Sequence, residues 1–407
     1  MATPVTEVEL DRSYRALLAV PSMSRLLLGM YVARVAQSMV SVAIVLFVLT
    51  TYQSPALAGL ATFLSVFPGL LASPIAGALL DRHGRTRLIV LDLLVALSCL
   101  VLIGVLASAG TLPVWLLMVI CAISSLTAPL SATGLRSLFP IIVPRHLWER
   151  VNALDSNGYV VSSILGPPLA AGLVAALGGP ATLVVIGLGF GLAAIVLSRV
   201  PDPATDTHTT GSLLLDAWQG LAYTMRNPTL RGLGFTISVL NLMGGAFTIV
   251  IPLIVLQRLQ LSEVMVGLVF AVQGLFGTAS ALISGRLDSR GRERLMLVAP
   301  ILALALASAV LLWSTDLIVL LVVMGVSGVL VGPTDIALFT LRQRRTDPAW
   351  MGRAFAVSMS FNYLGIPIGS VVAGWLATTS IDAAIVLGVG SCLAAGVIAA
   401  LTIPGDD

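Results

Sequence analysis

Twelve long apolar runs dominate this chain, and each is close to or above the ~20 residues a helix needs to cross a ~30 Å hydrocarbon core. They cover 26–50, 56–80, 87–109, 113–136, 149–176, 181–199, 229–257, 263–286, 294–314, 317–341, 352–378 and 382–403. A membrane barrel needs alternating segments about ten residues long, so continuous runs of this length exclude strands. Composition agrees: 57% of residues are hydrophobic and 10% charged, against about 45–50% and about 25% in soluble domains. The sequence predicts an all-α membrane protein of twelve transmembrane helices. The first run is too long for a signal-peptide core and lacks a small-residue cleavage pattern, so it is expected to remain as a span.

All 22 basic residues are arginine. Without lysine there is no Walker A loop and no Schiff base to a cofactor. Cys99, Cys121 and Cys392 lie inside apolar runs, where a thiol behaves as a small hydrophobe. His83, His146 and His208 sit in separate polar loops without ligand spacing, so no metal and no cofactor is expected. Nothing in the pattern resembles an enzyme.

Arginine placement sets an expected orientation. With the N-terminus inside, 20 of the 22 arginines fall in cytoplasmic segments, only Arg258 falls outside, and Arg34 lies within the first span. That is the positive-inside pattern, with both termini cytoplasmic in a bacterial-type inner membrane. The basicity then faces anionic lipid, and nucleic acid is not implied. The longest polar stretch, 200–231, separates spans six and seven. Within it Leu214, Trp218 and Leu221 share one helical face, which predicts a short amphipathic helix on the membrane surface.

The chain also repeats. GALLDRHGRTR (77–87) follows span two and GRLDSRGRER (285–294) follows span eight, so that Asp81, Gly84, Arg85 and Arg87 recur 207 residues later as Asp288, Gly291, Arg292 and Arg294. Arg136 and Arg342, Trp148 and Trp350, and Pro167 and Pro367 recur at nearly the same offset. The expected organisation is a six-helix bundle over 1–200, a cytoplasmic linker over 201–228 and a second bundle over 229–407, related as parallel repeats.

The loop GALLDRHGR resembles the G-x-x-x-D-R-x-G-R motif of the major facilitator superfamily, with a degenerate copy in the second half. The resemblance covers nearly the whole chain and implies a transporter that works by alternating access. It makes Gly77, Asp81, Arg82, Gly84 and Arg85, with Asp288, Gly291 and Arg292, a gating latch that holds the outward-open arrangement and releases in the inward-open one. Asp92, at the start of span three, is a further expected partner. SSILGPPLAAGL (162–173) is similar to the G-P-x-x-x-G element of exporters, where Gly166 and Gly172 allow close helix approach and Pro167 bends the helix. The stretch 137–156 resembles the macrolide-efflux and enterobactin-exporter branch. That branch carries an acid in span one, where this chain has Arg34, Gln37, Ser38 and Ser41.

An arginine inside a span costs at least ~2.5–3.5 kcal/mol at the bilayer centre, so Arg34 needs a carboxylate or a route to water. Asp155 in span five and Asp335 in span ten lie at similar depth, roughly 10 Å inside their helix ends. Either could be the partner, and either could carry the coupling proton. By the resemblance, spans one, four, seven and ten line the substrate cavity, giving Tyr31, Gln37, Ser38, Ser124, Thr127, Asn241 and Thr248 beside Asp335, with Gln273 and Asn362 joining from the sides. This lining is small and mostly neutral, which favours amphipathic molecules bound by shape. The expected function is proton-coupled efflux of drug-like compounds or secreted metabolites by a monomer, with small molecule, proton and membrane lipid as its partners. Proton-coupled uptake of a small metabolite and a non-transporting receptor or lipid-handling protein are the alternatives.

Overall fold

The computed structural model describes residues 11, 13–202, 213–285, 291–347, 350, 358 and 361–403, without the side chains of 74, 78, 81 and 213–217. Asp288 and the side chains of Asp81 and Leu214 therefore lie outside the described residues. A short α1 (Tyr14–Ala19) precedes α2 (Met23–Tyr52), α3 (Pro55–Leu64), α4 (Phe67–His83), α5 (Arg85–Ser108), α6 (Val114–Ile142), α7 (Trp148–Leu177) and α8 (Gly179–Leu197). The linker contains α9 (Leu213–Arg226). The second half runs α10 (Pro228–Leu253), a π-helical turn Ile254–Arg258, α11 (Glu263–Ser284), α12 (Glu293–Ala309), α13 (Leu317–Arg344), α14 (Gly365–Leu376) and α15 (Ile381–Thr402). Among the described residues, 11 helices are long and apolar enough to cross a membrane, and the apolar helix Phe361–Leu376 is shorter.

Helix ends are fixed by polar caps at the bilayer boundary, where backbone N–H groups lack an intrahelical acceptor. Ser54 accepts from Leu57 N at 3.3 Å, and Asp316 accepts from Ile318 N at 2.8 Å. Asn227 accepts from both Thr229 N (3.1 Å) and Leu230 N (3.2 Å). Span two departs from the continuous helix expected over 56–80. It breaks at Ser65 and Val66, between α3 and α4. Pro68 follows immediately; it lacks an N–H and its ring crowds the carbonyl four residues back, so one unbroken helix cannot pass through it without distortion.

The two halves pack by the same scheme. In the first, α2 packs on α7 and α8, α5 on α6 and α8, and α4 on α6. In the second, α10 packs on α14 and α15, α12 on α13 and α15, and α11 on α13. Each pairing in one half has its counterpart in the other, as a duplicated block requires. The halves then meet through two equivalent pairs, α7 with α11 and α3 with α14.

These junctions lie toward the arginine-poor end, which carries the 53–54 and 377–380 turns. Small residues permit the approach. A Cβ on Gly374 would stand 2.5 Å from the Pro55 carbonyl oxygen, and one on Gly267 would stand 2.8 Å from Pro168 Cα and from Ala171 Cβ. Gly172 does not act this way: its Cβ would meet nothing within 4 Å. The close-packing glycine opposite the Pro167–Pro168 segment is Gly267 of α11. Gly166 does sit tight, against Ser38 of α2. Toward the arginine-rich end, α4 packs on α5, α6 and the linker helix α9. Among the described residues, the two halves therefore make their main contacts toward the arginine-poor end.

The repeated loops bind their own halves. Gly84 adopts φ +93°, in the region open to glycine, and leads directly into α5. The N-terminus of α5 is capped by Asp202, just beyond α8, whose carboxylate accepts from Thr86 N (3.2 Å) and Arg87 N (3.4 Å). In the second copy Gly291 has φ +70°, Glu293 pairs with Arg344, and the Arg294 guanidinium donates to the Ala400 carbonyl near the end of α15. Both loops are thus tied to the last helix of their own half. Arg82 and Arg292 are exposed, while Gly77 faces open space. Asp92 does not join this loop; it is 4% exposed and turned into the first half. Replacing Asp202 with Ala should cost about 0.5–2 kcal/mol of local stability. Hydrogen exchange at the 86–88 amides reads this, and unchanged protection would contradict the cap.

Candidate functional site

Arg34, in the first half of α2, is held at Asp155 of α7. Its Nη2 lies 2.5 Å from Asp155 Oδ1, and its Nη1 donates to the Asp155 carbonyl at 2.5 Å. Arg136 of α6 takes the other carboxylate oxygen, Nε to Oδ2 at 3.0 Å. The Arg34 guanidinium also lies 3.8 Å from the Tyr159 ring centroid, and that of Arg136 lies 4.7 Å from it. Gly158 leaves room for this packing, since a Cβ there would stand 2.7 Å from Arg34 Nη1. The Tyr31 hydroxyl, 3.0 Å from Leu154 O and 2.9 Å from Asn157 Oδ1, ties the same two helices. Two guanidiniums on one carboxylate leave a net positive charge, and it is borne by Arg136, whose side chain is 56% exposed against 9% for Arg34.

The second half repeats the constellation without its ion pair. Positions 207 residues beyond Arg34 and Asp155 are Asn241 and Asn362, and Arg342 stands for Arg136. Asn241 Nδ2 donates to the Asn362 carbonyl at 2.9 Å. The Asn362 side-chain amide accepts from Arg342 Nη2 at 2.8 Å and donates to Ser358 O at 3.0 Å. Asp335 is not drawn to Arg34; it lies exposed on α13, facing the interior. Tyr363, 51% exposed, is within electrostatic reach of Asp335 and Arg342 on its own side and of Tyr159 and Arg136 across the gap. The interior thus has a basic, aromatic wall on α6 and α7 and an acidic, aromatic wall on α13 and the turn leading into α14.

Other predicted cavity residues are occupied in helix contacts. Gln273 Nε2 donates to Ser327 Oγ at 3.1 Å, Thr248 Oγ1 donates to Gly245 O at 2.6 Å, and Ser38 packs on Gly166. Ser124 and Thr127 turn into the first half beside Asp92, while Gln37 is exposed. The residues that sequence reasoning missed are Arg136, Tyr159 and Tyr363. A signal for the first was present, since Arg136 recurs as Arg342 at nearly the repeat offset; the tyrosines carried none.

The profile of the Major Facilitator Superfamily matches residues 26–370 and, again, 233–407. The chain belongs to the major facilitator superfamily. It is a transporter and not an enzyme. It is 36% identical over 402 residues to the MFS-type transporter y4rN of Sinorhizobium fredii, covering 98% of this chain and 99% of that one. Macrolide efflux protein A of Streptococcus pyogenes is 23% identical over 361 residues, 86% of this chain and 87% of its own. Among solved structures, the nucleoside transporter NupG superimposes with a TM-score of 0.77 at 11% identity, over 94% of this transporter and 99% of that chain. That likeness carries the fold alone.

Proposed function

We propose that this transporter exports amphipathic, drug-like compounds or secreted metabolites across a bacterial-type cytoplasmic membrane in exchange for protons. The observation that carries the reading is the polarised interior: toward the arginine-rich end, exposed Asp335 and Tyr363 stand opposite exposed Arg136 and Tyr159, with Tyr363 in electrostatic reach of the other three. With the positive-inside pattern, that end and both termini are cytoplasmic, so the site is poised to load from the cytoplasm. The efflux activity named for the Streptococcus pyogenes relative supports the same direction.

Asp155 is fixed by two guanidiniums and serves to hold the first half together. Asp335 is the acid free to exchange a proton for the polar end of a cargo, while the two tyrosines and the apolar surroundings hold its body by shape. Rocking of the halves about the α3–α14 and α7–α11 contacts exposes the site to each side in turn. The Gly77, Asp81, Arg82, Gly84 and Arg85 loop and its second copy then act as the latch of the outward-open state. The test is flux of a lipophilic organic cation such as ethidium in vesicles of known orientation with an imposed pH gradient. Outward transport driven by inward proton flow is expected, and Asp335→Asn should abolish it while leaving gradient-free exchange. Inward flux would make the protein a symporter, and no flux with any gradient would make it a receptor or lipid-handling protein.

A further inference from the structure

Asp92 takes no part in that exchange, yet it is the most deeply buried acid of the described first half outside an ion pair: 4% of the residue is exposed. On α5 it faces α6, where its carboxylate approaches the hydroxyls of Thr127 and Ser131. It also lines a chamber of about 40 Å³ enclosed by α2, α5, α6 and the break in span two, together with Gln37, Ser65, Ser124, Cys99 and Cys121. That volume holds about two water molecules.

The groups facing Asp92 are therefore hydroxyls, an amide and two thiols. Phe190 of α8 closes the chamber with an apolar ring. Arg34 and Arg136 are committed to Asp155 and Tyr159, and Arg25, the other arginine of α2, is exposed near the start of that helix. A carboxylate buried among such neighbours is relieved of its charge by taking a proton. The surroundings also accommodate both states. Thr127 Oγ1 and Ser131 Oγ make long bonds of 3.3 Å to the carbonyls of Ser124 and Ala128 on their own helix. Each hydroxyl can turn from that carbonyl toward an ionised carboxylate, or accept from a protonated one. Gln37 lines the chamber and is also exposed to the interior, which puts the proton's route to water at its amide.

We propose that Asp92 is a proton-binding site inside the first half, separate from Asp335 and reached through the chamber behind Gln37. The carboxylate takes one proton from chamber water and returns it there. Any part of this site in coupling rests on the exchange reading above; that the site binds a proton does not.

Infrared pH-difference spectra of the full-length protein in lipid nanodiscs test it without a substrate. Lowering the pH should raise a protonated-carboxyl band that persists in Asp335→Asn and disappears in Asp92→Asn. Ser131→Ala or Thr127→Val should shift the band, a readout that stands if Asp92→Asn fails to fold. Spectra of Asp92→Asn identical to wild type, or a band unmoved by both hydroxyl variants, would overturn the proposal. So would a band that appears when sodium is removed at constant pH, which would make this a sodium site. Loss of gradient-driven flux in Asp92→Asn with gradient-free exchange retained would extend the site to coupling. Absence of flux in wild type with the band intact would instead remove the exchange reading and leave the site.

Discussion

Replacing Asp155 with Ala should destabilise the first half by about 3–5 kcal/mol, the cost of leaving a buried charge without its partner. Arg34 is 9% exposed at its side chain, and both its Nη atoms are spent on residue 155, one of them on the carboxylate. Without that carboxylate the guanidinium faces Tyr159, Met30 and Gly158, which offer little to a cation beyond the ring. Arg136 loses its anchor as well, so two cations are left close together. The effect belongs to the unpaired charge more than to lost attraction, so Arg34→Leu with Asp155→Leu should recover most of the stability. The second half supplies the natural control, because Asn241 and Asn362 fill the same positions with amides. Thermal unfolding in detergent measures both variants. A single Asp155→Ala variant as stable as wild type would mean that Arg34 finds water.

Gly267→Val should abolish transport while leaving each half folded. The new side chain has no room at the α7–α11 junction, where even a Cβ would come within 2.8 Å of the backbone at Pro168. Relief requires the halves to part at the arginine-poor end. Overpacking of this kind costs about 1–3 kcal/mol, and a bias of that size moves a two-state equilibrium by roughly 5–150-fold. The variant should populate the arrangement open at the arginine-poor end, and a cysteine at position 370 on the α3–α14 seam should become reactive to a membrane-impermeant thiol reagent. Retained transport with an unreactive Cys at that position would show that the junction does not control the motion.

Much of this architecture was legible because it follows from hydrophobicity and repetition. The apolar runs located the helices, and the 207-residue offset between Asp81 and Asp288 announced the duplication. The partner of Arg34 was narrowed to two acids by depth along the helices, and the structure places it on Asp155. What stayed hidden depends on side-chain direction. Asp92 lies about two turns into α5, past a loop rich in arginine, yet its position on α5 aims it at Thr127 and Ser131. Ser124 and Thr127 sit on a helix that also lines the interior, but their face turns inward to the first half. Asp202 looked like part of a flexible linker; its capping of α5 depends on α8 ending beside α5, a tertiary fact without a local signal. The break at Ser65 could have been read from Pro68. The amide copy of the Arg34 constellation was within reach too, since the same offset leads from Arg34 to Asn241 and from Asp155 to Asn362.

Spin labels at Gln53 and Thr379, and in a second protein at His83 and Arg292, report the separation of the halves at either end of the bundle; all four residues are exposed. Two rocking halves predict two distance populations at each end, with the Gln53–Thr379 distance lengthening under conditions in which the His83–Arg292 distance shortens. Gly267→Val should drive the first pair to its longer distance. Single distances that ignore pH and the valine, or two pairs that lengthen together, would contradict alternating access in this protein.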